Sequence, residues 1–188
     1  MRFFDHFDML APFYDQVISP SDNPAIHDFL KLPINGRLLD AGGGTGRISA
    51  ALAGGSTKVN ILDSSLAMLR QAVGKDCCQT VAGSTEHPPF QGASFARIIV
   101  VDAFHHLEDQ QGSLQRLWDL LESGGRLIVE EPDIDHWGVK IVALLEKIAL
   151  MRSNFWPAER IGRMLQQLGA AVEVKREGHS FWVLADKK

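Results

Sequence analysis

The stretch LLDAGGGTGRIS, residues 38–49, places three consecutive glycines, Gly42 to Gly44, between an apolar run and a helical pattern. Each glycine is about 1 kcal/mol less favourable than alanine inside regular structure. A chain that accepts this cost three times needs its backbone to approach another group closely. We therefore expect a strand, a glycine turn and a helix that together form a binding site.

Strand-like and helix-like segments alternate on both sides of this turn. Apolar runs predict strands at 37–41, 58–63, 78–83, 95–104 and 124–132, and helical periodicity predicts helices at 47–53, 65–73 and around 113–121. Residues 84–94 hold two prolines and a glycine, so we expect no substantial helix there. This alternation predicts a parallel sheet covered by helices on both faces.

The C-terminal end follows a different pattern. Residues 170–177 and 180–187 both read as strands, and only Gly178 and His179 separate them. A connection this short permits only an antiparallel hairpin. The predicted fold class is therefore α/β: a mostly parallel seven-stranded sheet with one antiparallel strand near the C-terminal edge.

Composition limits the class of protein. The 188 residues are 45% hydrophobic and carry a net charge of −4, which suits one globular domain and argues against a nucleic-acid partner. The two cysteines, Cys77 and Cys78, are adjacent, so we expect reduced thiols in a cytoplasmic protein. The longest apolar segment, 139–151, contains three charged residues and is too short to cross a bilayer, so no stable membrane insertion is expected.

Two phosphate-binding patterns do not fit the glycine turn. A P-loop that starts at Gly42 requires Gly-Lys where the chain has Arg47 and Ile48. The G-x-G-x-x-G pattern of dinucleotide-binding proteins requires a glycine where Arg47 stands, which disfavours a nicotinamide-dependent oxidoreductase. The observed pattern is D-x-G-x-G-x-G, formed by Asp40, Gly42, Gly44 and Gly46.

This pattern resembles the first motif of class I S-adenosylmethionine-dependent methyltransferases. Further matches follow in the expected order: Asp63 at the end of the second strand, GSTEHPPF at 83–90, DAFHH at 102–106, and LLESGGRLIVEEP at 120–132. APFYD at 11–15 is similar to the start of the methyltransferases of ubiquinone and menaquinone biosynthesis. The chain is thus similar to the small-molecule, type 11 group of this family, which implies the same Rossmann-like fold.

The resemblance implies S-adenosylmethionine as cofactor and S-adenosylhomocysteine as product. In this family the acidic residue at the position of Asp63 accepts hydrogen bonds from both ribose hydroxyls, and the segment with Ser84 and Thr85 lies along the adenine. Asp40 can offset the ammonium group, while Arg47 or Tyr14 can meet the carboxylate. The expected cofactor-binding residues are Tyr14, Asp40, Gly42, Gly43, Gly44, Gly46, Arg47, Asp63, Ser64, Met68, Ser84, Thr85, Asp102 and Ala103.

Two histidines after the fourth strand, His105 and His106, are the candidate general bases. The family's amino-methylating members carry [DNS]-P-P-[YF] at this place, so an oxygen or carbon acceptor is favoured here. Glu131 is expected to face the mouth of the pocket. No metal is expected, because the nearby acidic and histidine residues repeat no ligand spacing; they are Glu130, Glu131, Asp133, Asp135 and His136.

We expect one methyltransferase domain over 1–188, with an N-terminal helical cap (1–33), a cofactor-binding core (36–131), a helical segment toward the substrate (132–169) and a C-terminal hairpin (170–188). Trp137 and Trp156 either pack in the core or line an apolar acceptor pocket or a dimer contact. The expected activity is methyl transfer to oxygen or carbon of a small, apolar or aromatic molecule, by a monomer or homodimer. The alternative is a non-catalytic S-adenosylmethionine-binding regulatory or assembly protein.

Overall fold

A computed structural model describes residues 25–53, 57–73, 78–133 and 153–188. Seven strands form one sheet in the order β3-β2-β1-β4-β5-β7-β6. The first five strands run parallel, and β7 is antiparallel to both of its neighbours, β5 and β6. This confirms the predicted fold class, including the single reversed strand one place from the C-terminal edge.

The elements follow the predicted alternation. The strands are β1 (Arg37–Ala41), β2 (Lys58–Asp63), β3 (Cys78–Ala82), β4 (Phe95–Val101), β5 (Leu121–Pro132), β6 (Ala171–Glu177) and β7 (Ser180–Asp186). The helices are α1 (Ala25–Leu30), α2 (Arg47–Leu52), α3 (Leu66–Val73), α4 (Gln110–Leu120) and α5 (Ala158–Gln167). A short 3-10 turn spans Phe104–His106. Most of the predicted cap (1–33) and of the helical segment (132–169), with Tyr14 and Trp137, lies outside the described residues.

The central strands are buried on both faces because helices cover each side. One face packs against α1 and α2 through residues such as Leu38, Ile99 and Trp182. The other packs against α4 and α5 through residues such as Leu39, Val100 and Phe181. Neighbouring residues of a strand point to opposite faces, so continuous apolar runs are what a sheet covered on both sides requires.

Three boundaries differ from the sequence prediction by more than one residue. Helix α4 begins at Gln110, three residues early, because the side chain of Asp109 accepts a hydrogen bond from the backbone N–H of Gly112 and caps it. Strand β4 ends at Val101 because Asp102 takes a positive φ of 50° and the 3-10 turn follows. Strand β5 begins at Leu121 rather than at 124.

Two arginines, one on β4 and one on β5, hydrogen-bond to the C-terminal end of helix α1. Arg126 makes two hydrogen bonds of 2.6 Å to the carboxylate of Asp186, and its third donor lies 2.6 Å from the carbonyl oxygen of Phe29. Arg97 donates to the carbonyl oxygen of Leu30. These bonds satisfy C-terminal carbonyl groups of α1 that have no partner within the helix.

None of the helices in the described part of the chain has the length and apolar character of a membrane span.

Replacing Asp186 by asparagine should lower the free energy of unfolding by about 1–2 kcal/mol, because Arg126 stays buried without its carboxylate. The hydrogen bonds of Arg126 hold the pKa of Asp186 below its usual value. The contribution is therefore present above about pH 4 and lost as pH falls through the lowered pKa. Urea unfolding at pH 7 measures it, with exposed Asp119→Asn as control. Equal losses in the two variants would contradict the assignment.

Candidate functional site

A cavity of about 380 Å³ opens at the carboxyl ends of the parallel strands. It lies where β1 stands between β2 and β4, the point at which the strand order reverses. In open α/β sheets, ligands bind at this switch point because the loops on its two sides leave in opposite directions and open a crevice. The size is within the range of about 300–1,000 Å³ that small-molecule sites occupy.

The glycine turn forms one wall of the cavity, and its glycines are needed for different reasons. A Cβ on Gly42 would lie 2.6 Å from the Cβ of Ala103, and one on Gly43 would lie 2.7 Å from Cγ of Asp40. Gly44 has a positive φ of 53°, and a Cβ there would meet nothing closer than 4.0 Å. Gly44 lines the cavity, so the missing side chain leaves the backbone open to a ligand. The turn therefore provides the close backbone approach that its sequence predicts.

Asp63 connects this turn to the next element. Its Oδ2 accepts a hydrogen bond of 2.9 Å from the backbone N–H of Gly44, and its Oδ1 accepts one of 2.8 Å from that of Ser65. Ser65 in turn accepts from the backbone N–H of Met68 and caps α3. A carboxylate can accept about four hydrogen bonds, so Asp63 can hold backbone amides and a vicinal diol together.

Asp40 is buried at the end of β1, with 1% of its surface exposed. Burial, and to a smaller degree the charge of Asp63, raises the pKa of Asp40 to about 6, although the hydroxyl of Ser49 donates a 2.7 Å hydrogen bond to it. Glu130 is also buried, and burial followed by the charge of Asp102 raises its pKa to about 8. Carboxyl groups held this close together favour a ligand that brings positive charge.

Most of the predicted cofactor-binding residues meet around the cavity. Twelve of the fourteen line it: Asp40, Gly42, Gly43, Gly44, Arg47, Asp63, Ser64, Met68, Ser84, Thr85, Asp102 and Ala103. Tyr14 lies outside the described residues. Gly46 does not line the cavity; it is buried at the start of α2, with a φ of 72°, and a Cβ there would lie 2.7 Å from Cδ1 of Ile61. Gly46 thus permits close packing of α2 on β2.

The loop after β3 is fixed by a residue that sequence reasoning missed. The carboxylate of Glu86 accepts hydrogen bonds from the backbone N–H groups of Glu108 and Asp109, at 2.6 and 3.1 Å. This joins the loop after β3 to the loop after β4 beside the cavity, which Glu86 also lines. Ser84 accepts from the backbone N–H of Glu86. No local signal marks Glu86, because its partners are more than twenty residues away.

The two candidate bases differ in placement. His106 is partly exposed and lines the cavity, whereas His105 is buried behind it. The Nδ1 of His105 lies 2.6 Å from Oε2 of Glu131. The expectation that Glu131 faces the pocket mouth is wrong: only 2% of its surface is exposed, and its partners are His105 and the backbone N–H of Phe104. The side chain lies on the face of the sheet that α4 and α5 cover, because it alternates with Glu130 along β5 and shares the face of Leu127 and Val129.

Two further predictions concern the surroundings of the cavity. Trp156 does not line the cavity but lies in the core, where its ring packs edge-on against Phe104. Within the described ranges, no group of three or more histidine, cysteine or acidic side chains is placed to hold a metal ion. Asp135 and His136 lie outside these ranges.

Comparison with known proteins identifies the core. Residues 39–129 match a family model described as a methyltransferase domain. The match covers just under half of the chain, and over this core the chain is similar to a methyltransferase domain. Its curated relatives include the demethylmenaquinone methyltransferase of Clavibacter sepedonicus, 32% identical over 104 residues, which cover 53% of this chain and 42% of the relative. The ubiquinone/menaquinone biosynthesis C-methyltransferase of Geotalea daltonii is 28% identical over 142 residues, 66% of this chain and 60% of the relative.

The methyltransferase fold extends beyond the matched core. A SAM-dependent methyltransferase from Thermotoga maritima superposes with a TM-score of 0.79 at 19% identity, over 97% of this chain and 98% of that one. The chain spans 42% and 60% of the lengths of the two curated relatives. The matched family model and the SAM-dependent methyltransferase of similar fold indicate S-adenosylmethionine as the cofactor of the domain.

The residues present suit this cofactor. S-adenosylmethionine carries an ammonium and a sulfonium group, and the acidic side chains Asp40, Asp63 and Asp102 line the cavity. The open backbone at Gly44 provides the close approach that the glycine turn is built for. Arg47 also lines the cavity and can meet a carboxylate. The donor set therefore fits the charges of the molecule.

Gly44→Val should weaken binding of S-adenosylhomocysteine by about a hundredfold or more, because the added side chain would occupy the cavity. Calorimetric titration measures the change. Gly178→Val is the matched control, since Gly178 has a similar φ of 60° and nothing within 4 Å of a Cβ but lies in the hairpin turn between β6 and β7. Both variants carry comparable backbone strain. Unchanged affinity in a folded Gly44→Val protein would contradict the assignment of the turn.

The pKa of about 6 at Asp40 predicts that ligand binding depends on pH. A ligand ammonium favours the ionised carboxylate, so binding releases a proton wherever Asp40 is protonated in the free protein. Affinity for S-adenosylhomocysteine should therefore rise from pH 5 to pH 7, by at most about tenfold per pH unit, and level off above. Titration across this range tests it. Asp40→Asn should remove the rise; a rise of equal size in that variant would assign it to another group.

Proposed function

We propose that this protein is an S-adenosylmethionine-dependent methyltransferase that methylates carbon or oxygen of a small, apolar or aromatic molecule. The observation that carries the proposal is the cavity at the reversal point of the sheet, lined by the glycine turn and by Asp63. The curated relatives are named as methyltransferases of menaquinone and ubiquinone biosynthesis, which supports a quinone-related aromatic acceptor and a carbon atom as the target.

S-adenosylmethionine, when bound, supplies an electrophilic methyl group on a positively charged sulfur. The part of this chain is to hold the reactants in line, since orientation alone can provide a large share of the rate. In this proposal Asp63 accepts from the ribose hydroxyls, Asp40 balances the ammonium group, and the N–H groups of the turn or Arg47 meet the carboxylate. The acceptor approaches from the side on which His106 lines the cavity.

His106 is the described histidine that can reach a ligand in the cavity. An oxygen or carbon acceptor that carries a proton must lose it during or after attack, and an imidazole near neutral pKa suits that task. We assign this role to His106 rather than His105, because His105 is buried against Glu131. The protein is proposed to act in the cytoplasm as a monomer or homodimer, on a small molecule and without a nucleic-acid partner.

Parallel calorimetric titration with S-adenosylmethionine, S-adenosylhomocysteine and NADH tests the cofactor part of the proposal. Micromolar binding of the first two and none of NADH is the expected result. Binding of NADH alone would refute the proposal.

The catalytic part is tested with S-adenosylmethionine labelled on its methyl group. Transfer of label to a naphthohydroquinone or to a simple phenol is expected, and the position of the label in the product separates carbon from oxygen methylation. His106→Gln should lower turnover by about a hundredfold while cofactor affinity stays within about threefold. Cofactor binding with no transfer to any aromatic hydroxyl compound would favour a regulatory or assembly protein.

A further inference from the structure

Two adjacent histidines at the end of β4 have different surroundings. The 3-10 turn at Phe104–His106 directs His106 toward the cavity and His105 into the protein. Their ring centroids nevertheless lie only 3.9 Å apart, with 49° between the ring planes. The position and charge of the buried ring therefore act directly on the ring at the cavity.

Glu131 binds both the backbone and the side chain of this turn. Its Oε1 accepts a 2.8 Å hydrogen bond from the backbone N–H of Phe104, and its Oε2 lies 2.6 Å from Nδ1 of His105. A single carboxylate thus sets the backbone path at the start of the turn and the orientation of the buried ring. The short contact requires a proton on Nδ1 or on the carboxyl group, shared between the two residues.

One face of the His105 ring is covered by Phe155, and the neighbouring residue Asn154 binds the backbone of His105. The ring of Phe155 stacks on it at 4.3 Å with an interplanar angle of 14°. The backbone N–H of Asn154 donates to the carbonyl oxygen of His105. Gln110 donates to the carbonyl oxygens of Phe104 and Asn154, so the residues around Phe155 are held against the turn. His105 is thus held at Nδ1 by Glu131, on a ring face by Phe155, and through its own backbone carbonyl.

We propose that His105 and Glu131 are a positioning pair that fixes the orientation and the charge environment of His106 at the cavity. A buried ionisable pair carries a large desolvation cost and is a poor source of stability compared with apolar side chains of similar size. The pair lies directly behind the histidine that faces the ligand, where its charge has an effect that apolar residues could not provide. His105 acts through His106 and does not reach the cavity itself.

Charged groups near the pair and the cavity lie at the end of β4, at the start of α2 and on the loop after β3. Asp102, at the end of β4, acts on Glu131 and on Glu130, and Arg47 at the start of α2 acts on Glu130. Glu86, on the loop after β3, lines the cavity as His106 does. Burial raises the pKa of Glu131, and the hydrogen bond from His105 opposes this rise. An ionised Glu131 makes His106 a stronger proton acceptor, because negative charge nearby favours the imidazolium form.

The role of the pair rests on the proposed function. During methylation the bond between the acceptor and its proton breaks, an N–H bond forms on His106, and the electron pair of the broken bond stays in the acceptor molecule, on oxygen or in the aromatic ring. The methyl group that the acceptor gains would come from S-adenosylmethionine, whose sulfur would keep the electron pair of the methyl–sulfur bond. The partly exposed His106 can then release the proton to solvent. Nδ1 of His105 keeps its proton throughout, so the pair holds its geometry from one turnover to the next.

Replacing Glu131 by glutamine tests this inference without an acceptor. The glutamine carbonyl can still accept from Phe104 N–H, and its amide would donate to Nδ1 of His105, which keeps the turn closed but removes the carboxylate charge. We expect the pKa of His106, followed by NMR of ring-labelled protein with S-adenosylhomocysteine bound, to fall by about one unit. Affinity for S-adenosylhomocysteine should stay within about threefold of the unaltered protein.

Glu130→Gln is the matched control, since Glu130 is the adjacent buried carboxyl group on the other face of β5. Burial raises the pKa of Glu130 to about 8, so Glu130→Gln removes little charge below that pH, and the His106 curve should not move there. Identical His106 titrations in the unaltered protein and in folded Glu131→Gln would overturn the proposal, as would an equal shift in Glu130→Gln.

If Glu131→Gln does not fold, a measurement on the unaltered protein tests the positioning pair. Nitrogen NMR should find Nδ1 of His105 protonated throughout the titration of His106, and a deprotonated Nδ1 in that range would overturn the positioning pair. Failure of S-adenosylhomocysteine to bind the unaltered protein would count against the proposed function instead. The comparison of His106 titrations in ligand-free protein would then still decide the role of the pair.

Discussion

The attachment of the glycine turn to the end of β2 is the constraint on which the site depends. The backbone N–H groups of Gly42 and Gly43 donate to the carbonyl oxygen of Leu62, and that of Gly44 donates to Asp63. These bonds hold the turn against the neighbouring strand while the chain reverses into α2. Without them α2 would not begin where it does, and the backbone at the reversal point of the sheet would have no fixed position.

The same arrangement determines the electrostatics of the cavity. Parallel strands bring their carboxyl ends to one edge, so acidic residues that end different strands come together there. Asp40 is the penultimate residue of β1 and Asp63 ends β2, while Asp102 follows β4 and Glu130 lies near the end of β5. Burial and, to a smaller degree, mutual repulsion raise the pKa of Asp40 and Glu130. An acidic cavity of this kind favours a cationic ligand.

The turn after β4 connects the cavity to the part of the protein beyond β5. Glu131, on β5, binds the backbone of this turn and its buried histidine. Asn154 and Gln110 donate hydrogen bonds to its backbone, and Phe155 stacks on the histidine ring. A change in the position of Phe155 would therefore affect the position of His106. The domain joins its ligand-facing residues to its core through this turn rather than through the exposed loops.

The amino-acid sequence is sufficient to predict the element order, the glycine turn, the reversed C-terminal strand and most of the residues that line the cavity. These follow from local patterns: apolar runs long enough for buried strands, glycines at a strand end, and a two-residue connection between the last strands. Helix α4 starts earlier than its periodicity predicts because one side chain, Asp109, caps it. Local signals of this kind are read along the chain and need no knowledge of distant contacts.

Which side chains reach the cavity, and which support it from behind, depends on contacts that form in the folded protein alone. Gly46 packs against Ile61, Glu86 bridges two loops, and Glu131 turns inward to His105 although its neighbour Glu130 points to the other face. Their partners are between fifteen and twenty-six residues away. The physical reason is that a side chain's role is set by the surface packed against it, and strand pairing and helix packing, not sequence spacing, bring that surface into place.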